Sequence, residues 1–162
     1  MIFTLFRLIF DMQKLQHSIN INAPVKKVWD TMLNSDSYKD WTSVFNPGGS
    51  YFKGSWEKGS KILFIGPDPD TGIEGGMVSR IAENIPYKFV SIEHLGILKD
   101  GIEDTTSLEA QKWAPAYENY SFQEKNGVTE VRVEVDMLED FVNLFNDMWP
   151  KALKRLKELA EI

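Results

Sequence analysis

The chain has no cysteine, so disulfides, thiolate nucleophiles and thiolate metal ligands are excluded together. Histidine is scarce too. His17 and His94 are the two present, and a zinc site of three or four ligands would need carboxylates at spacings the sequence does not provide. Neither a metal nor another cofactor is expected. Basic residues are outnumbered, with 18 Lys and Arg against 24 Asp and Glu, whereas a nucleic-acid surface holds its phosphates through clustered Lys and Arg. No nucleic-acid partner is expected. A long apolar run is also missing. A bilayer span takes about 20 apolar residues, and in "MIFTLFRLIFDM" Arg7 interrupts the run.

That opening segment has no basic region ahead of its apolar residues and no small-residue cleavage site after them, so it does not read as a signal peptide. Residues 1–12 are read as an appendage, with a start at Met12 preferred to a peripheral membrane anchor. Residues 13–162 are read as one domain. The hydrophobic fraction of 43% and charged fraction of 26% are those of a globular protein, and a chain of this length buries roughly two thirds of its unfolded surface in one core. A cytoplasmic protein, monomeric or homodimeric, with small molecules or proteins as partners is the expectation.

From Lys14 to Asn22 the residues alternate, with Leu15, His17, Ile19 and Ile21 on one face, which predicts a half-buried strand. In "APVKKVWDTML", Pro24 suits a first helical turn, and Val25, Val28, Trp29 and Met32 form an apolar stripe. "SDSYKDW" offers a Ser or Asp cap for a second short helix. After Asn46-Pro47-Gly48-Gly49, six segments rich in aromatic and β-branched residues predict strands at 51–56, 60–66, 75–83, 87–98, 115–125 and 128–135. "NG" at Asn126-Gly127 marks the tightest hairpin. The stretch 99–113 reads as a long acidic connection with a helical turn near Ser107 to Lys112.

Leu138, Phe141, Val142, Phe145, Met148, Trp149, Ala152, Leu153, Leu156 and Leu159 recur at spacings of three and four, which predicts a long amphipathic helix. Asp136 and Glu139 have the spacing of a capping box, and Pro150 should weaken the helix near Asn146. The fold class is therefore α+β: a curved antiparallel sheet of about seven strands around a long C-terminal helix, with two short helices after the first strand. A bent sheet and a straight helix do not touch along their whole length, so a cavity between them is expected.

Several local patterns invite chemistry that they do not support. "GSWEKGSKILF" holds two glycines five apart, but Lys58 precedes the second, and the apolar run that follows is strand-like where a phosphate loop would open a helix. Glu57-Lys58-Gly59 is read as a three-residue hairpin turn with Gly59 at positive φ. "DPDTG" from Asp68 places its glycine one position early for a calcium loop and reads as a turn. The sequon Asn119-Tyr120-Ser121 falls inside a predicted strand. No nucleophile elbow is present, so no catalytic residue is assigned.

"ININAPVKKVWDTMLNSDSYKDWTSVF", "GSWEKGSKILF", "GGMVSRIAEN", "PYKFVSIEH", "YENYSF" and "WPKALKRLKEL" follow one another in order. Together they resemble the START-like SRPBCC superfamily, and within it the branch related to the C-terminal domain of the activator of the heat-shock chaperone ATPase. The resemblance covers about residues 13–162. It implies a helix-grip fold, a heat-shock chaperone as a possible partner and a role in the stress response. Some superfamily members are cyclases or hydrolases, which would make His17, Glu93 or His94 a general base.

The leading expectation is non-enzymatic binding of a small hydrophobic or amphipathic molecule between sheet and helix. Phe45, Phe64, Met77, Glu93, Tyr117, Tyr120, Phe141, Phe145 and Met148 are assigned to the lining, because they combine apolar bulk with a few polar tips. His17 reads as a structural histidine hydrogen-bonded to a neighbour. Glu93 and His94 are adjacent in a strand and point to opposite faces, so whichever turns inward is the polar anchor.

Overall fold

The computed structural model describes residues 11–162; most of the expected N-terminal appendage lies outside the described residues. Strand β1 (Met12–Ile21) is followed by helices α1 (Val25–Leu33) and α2 (Ser35–Trp41) and a 3₁₀ turn at Thr42–Val44. Strands β2 (Tyr51–Gly54), β3 (Lys61–Pro67), β4 (Glu74–Ile85), β5 (Phe89–Lys99) and β6 (Ile102–Asp104) come next. Helix α3 (Leu108–Trp113), strands β7 (Ala116–Lys125) and β8 (Val128–Leu138) and helix α4 (Val142–Ala160) complete the chain. The eight strands form one curved antiparallel sheet in the order β1-β8-β7-β5-β4-β3-β2, with β6 paired to β5 alone.

The expected α+β arrangement is present, with one more strand than the expected seven. Residues 99–113 hold β6 as well as α3, whose first turn is capped by the Ser107 hydroxyl accepting the Ala110 N–H at 3.1 Å. Three residues are too few for a period-two pattern to register. The β2–β3 connection also differs from expectation. It takes residues 55–60, closed by the Ser60 N–H on the Glu57 carbonyl at 3.0 Å, with Gly59 at φ 83°. Ile81 pairs with this loop, accepting from Gly59 and donating to Ser60, which holds the strand ends open.

Alternation of side chains fixes what faces inward. Along β1, Leu15 and Ile21 are buried and Gln16, Ser18 and Asn20 exposed; along β8, Thr129, Val131, Val133, Val135 and Met137 are buried. Helix α4 lays Trp149, Ala152, Leu153, Leu156 and Ala160 on that surface. Burying side chains such as Leu153 and Leu156, at 1% and 0% exposure, stabilises the fold by about 1.5–3 kcal/mol each. Register shifts between Val78 and Ser79, and again between Ile81 and Glu83, break the β4–β5 ladder and increase local twist and bend.

The helix caps correct two sequence expectations. Asn34, not a Ser or Asp, caps α2, its side chain accepting the Asp36 N–H at 3.1 Å. Asp136 does not cap α4: it is a β8 residue that accepts the Tyr117 N–H at 2.9 Å and lies 3.7 Å from Lys14 Nζ. A 3₁₀ turn, Glu139–Phe141, intervenes before α4. Pro150 lies inside α4 and has no N–H to offer the Asn146 carbonyl. The Asn146 side chain is engaged instead by His17, Nε2 to Oδ1 2.9 Å, across to β1. Further ties fasten α4: Lys157 donates to the Asn20 carbonyl at 2.7 Å, and Arg155 grips Asp40 of α2 through Nε–Oδ1 at 2.6 Å and Nη2–Oδ2 at 2.9 Å.

Candidate functional site

Between the sheet and the N-terminal half of α4, which contributes Phe145 and Trp149, lies a pocket of about 330 Å³. Its walls come from helices, turn and sheet alike. Tyr38 and Trp41 enter from α2, Phe45 and Asn46 from the 3₁₀ turn and its exit, and Phe145 and Trp149 from α4. Phe64 from β3 and Ile92 and His94 from β5 form the floor with Ala116, Glu118 and Tyr120 from β7. Val135 and Met137 of β8, Trp113 of α3 and Met12 of β1 close the remaining side. Gly66 and Gly75, a cross-strand pair, and Gly76 beside them present backbone where side chains would otherwise fill the space. A Cβ on Gly76 would lie 1.9 Å from the Phe64 carbonyl oxygen, so the close approach of β3 and β4 here requires glycine.

Aromatic rings dominate the walls. Phe45 stacks on Phe145 with centroids 5.8 Å apart and meets Trp149 edge-on at 4.8 Å. Trp149 in turn lies 6.2 Å from Trp41 and 6.4 Å from Tyr120. Both Trp41 and Trp149 are buried, but their indole N–H groups differ. Trp41 Nε1 donates to the Met32 carbonyl at 3.0 Å, whereas Trp149 Nε1 is buried with no partner. Asn46 Oδ1 is likewise unpartnered, although its Nδ2 donates to the Pro67 carbonyl at 2.9 Å.

One connected polar network crosses the floor. His94 Nδ1 is 2.7 Å from Ser79 Oγ, and His94 Nε2 is 3.3 Å from Glu118 Oε2. The Tyr120 hydroxyl donates to Glu118 Oε1. A carboxylate only accepts. Nε2 therefore carries its proton toward Glu118, and in a neutral ring Nδ1 accepts from the Ser79 hydroxyl. Desolvation raises the Tyr120 hydroxyl well above its usual range, and the Glu118 charge adds to this; Tyr38 is raised by the same two causes in the same order. Both phenols stay protonated donors at neutral pH.

Five of the nine residues assigned from sequence meet here: Phe45, Phe64, Met77, Tyr120 and Phe145. Four do not. Glu93 and Tyr117 are cross-strand partners on the opposite face of the sheet, where Glu93 pairs with Arg80 at 2.5 Å. Tyr117 cannot share a face with Tyr120, three positions along a strand whose side chains alternate. Phe141 packs on Trp113 at 5.2 Å and is 37% exposed, and Met148 lies beside the pocket face of α4 rather than on it. Of the adjacent pair, His94 turns inward.

Glu118, Ile92, Trp41 and Trp149 belong to the site without having been assigned to it. A period-two count from Tyr120 reaches Glu118 and Ala116, and the same count from His94 reaches Ile92. A step of four from Phe145 reaches Trp149. His17 is not in the site; it is the half-buried partner of Asn146 described above.

No protein-family model and no curated protein matches the chain. Solved structures do. The Aha1 dimer from Colwellia psychrerythraea is 21% identical, with 93% of this chain covering 98% of that one at a TM-score of 0.67. ChR145 from Cytophaga hutchinsonii is 19% identical over 93% of this chain and 96% of its own, also at 0.67. NE0264 from Nitrosomonas europaea is 14% identical over 91% and 93%, again at 0.67. The likeness is one of fold, the helix-grip arrangement seen in Aha1. Among the described residues no helix is long and apolar enough to cross a membrane.

Proposed function

We propose that the protein binds a small hydrophobic or amphipathic molecule in the pocket between the sheet and α4, without transforming it. The observation that carries this reading is the pocket itself: about 330 Å³ walled mainly by aromatic and aliphatic side chains, with polar groups gathered on its floor. Ligand sites are built this way, from an apolar body and a few polar groups that set orientation. At roughly 30 Å³ per water-sized group the space holds on the order of ten non-hydrogen atoms. Ser79 is fully buried behind His94 and absent from the wall. It serves to hold the imidazole rather than to attack a substrate. A thermal-shift screen with lipids, polyketides and aromatic metabolites, followed by native mass spectrometry of the hits, tests this reading. It predicts saturable one-to-one complexes, and a screen in which no compound of this size raises the melting temperature contradicts it.

A second reading is a protein-interaction role in which the outer surface matters more than the interior. The near full-length likeness to the Aha1 dimer supports it, with self-association or a heat-shock chaperone as the candidate contact. Sedimentation equilibrium that finds only monomer, together with a chaperone pull-down that recovers nothing, would count against it.

A further inference from the structure

The chemistry of the pocket floor bears on which molecules can enter. Two acidic residues, Glu118 and Asp136, line the pocket and no lysine or arginine does, among the described residues. Asp136 is engaged at the rim by Lys14 and the Tyr117 N–H. Glu118 lines the pocket from β7, between Ala116 and Tyr120, and is partly buried.

The donors around Glu118 are already committed. The Tyr120 hydroxyl and His94 Nε2 both point at its oxygens. Nδ1 of His94 faces the buried Ser79 hydroxyl, outside the pocket wall, and offers no donor to the pocket. What remains open on the floor is acceptor capacity: the spare lone pairs of the Glu118 carboxylate and the Tyr120 oxygen. The unpartnered Trp149 N–H and the Tyr38 hydroxyl are single neutral donors set among aromatic rings.

Resting on the reading that this pocket binds a ligand, we infer that its floor selects amphiphiles whose head group donates hydrogen bonds, neutral or cationic, and rejects carboxylate heads. A hydroxyl or ammonium group finds the Glu118 oxygens as acceptors. A carboxylate meets a like charge in a partly desolvated site, where repulsion is several times stronger than in water, and finds no lysine or arginine to pair with. Fatty acids and aromatic acids are therefore poor ligands, and phenols, alcohols and amines of similar size are good ones.

Three probes that share one apolar body test this: 2-naphthol, 2-naphthylmethylamine and 2-naphthoate, titrated calorimetrically into the full chain at pH 7. The expected result is binding of the first two with naphthoate at least tenfold weaker, and a narrowed gap in Glu118→Gln. Naphthoate binding as tightly as naphthol overturns the selectivity and leaves the pocket's ligand role standing. An unchanged gap in a folded Glu118→Gln variant overturns the assignment to Glu118. Binding by none of the three overturns the ligand reading and this inference together. The wild-type comparison is decisive even where the variant fails to fold.

Discussion

Ser79 of β4 and His94 of β5 are directly opposed across the strand pair, and the serine hydroxyl lies 2.7 Å from His94 Nδ1. The contact sits at a register shift, where Val78 pairs with Gly96 but Ser79 pairs with His94, leaving Leu95 over. The Ser79 contact holds the ring, and Nε2 is presented to Glu118 on the next strand, 3.3 Å from its Oε2.

Removing the lock should cost stability. Ser79→Ala leaves a buried ring nitrogen without its partner, a loss of about 1–3 kcal/mol. Urea denaturation measures it, and nitrogen chemical shifts of the His94 ring should report a changed tautomer balance. A variant as stable as wild type with unaltered ring shifts would contradict the network.

Tyr120→Phe removes a hydroxyl that is 1% exposed as part of its residue and bonded to a carboxylate. A hydrogen bond to a charged group contributes about 1.5–3 kcal/mol, and the urea midpoint should fall accordingly. The alkaline limb gives a second readout. Tyr120 and Tyr38 are raised in the folded state, so above the ordinary tyrosine value of 10.0 the unfolded chain releases protons that the folded chain keeps. The stability these groups contribute is full below that value and is lost as pH rises through the folded ones. The decline between pH 9 and 11 should be shallower in Tyr120→Phe than in wild type.

Helix α4 is fastened to α2 by Arg155 and Asp40, half-exposed side chains held in a forked pair. The hydrogen bond from Arg155 holds the Asp40 carboxyl below its ordinary value of 3.8. Its contribution is present above the unfolded value and lost as pH falls through the depressed folded one. Asp40→Asn should therefore melt below wild type at pH 6, with the difference closing toward pH 3. A difference that persists undiminished at pH 3 would assign the effect to packing instead. Solvent screening keeps the effect small.

Where one element's pattern was set by one neighbour, the sequence was legible. The alternation of β1 and β8 and the three-and-four spacing of α4 each report a single buried face, and the structure buries Ile21, Val133 and Leu153 on it. Phe45, Phe64, Tyr120 and Phe145 reach the pocket wall because bulky aromatics at those positions serve core and pocket alike, and Met77 reaches it as the cross-strand partner of Phe64. Glu93 and Tyr117 were misplaced because their polar tips looked suitable for orienting a ligand, while their strand parity set them on the far face. His94 faces inward by the same alternation that buries Val90 and Ile92, but its pairing with Ser79 across the strands leaves no mark in either strand alone. The α4 cap failed for a related reason: β8 runs on through Leu138, so Asp136 belongs to the sheet.

The central claim is that a guest occupies the space under α4, and the five tryptophans offer the most direct test. In a ¹⁵N-labelled sample titrated with 2-naphthol, the indole signal of Trp149, whose N–H faces no protein acceptor, should move saturably, with Trp41 following. Trp29 lies outside the pocket wall and should stay still. Trp149 unmoved up to the solubility limit of the probe, or Trp29 moving in its place, would contradict the account.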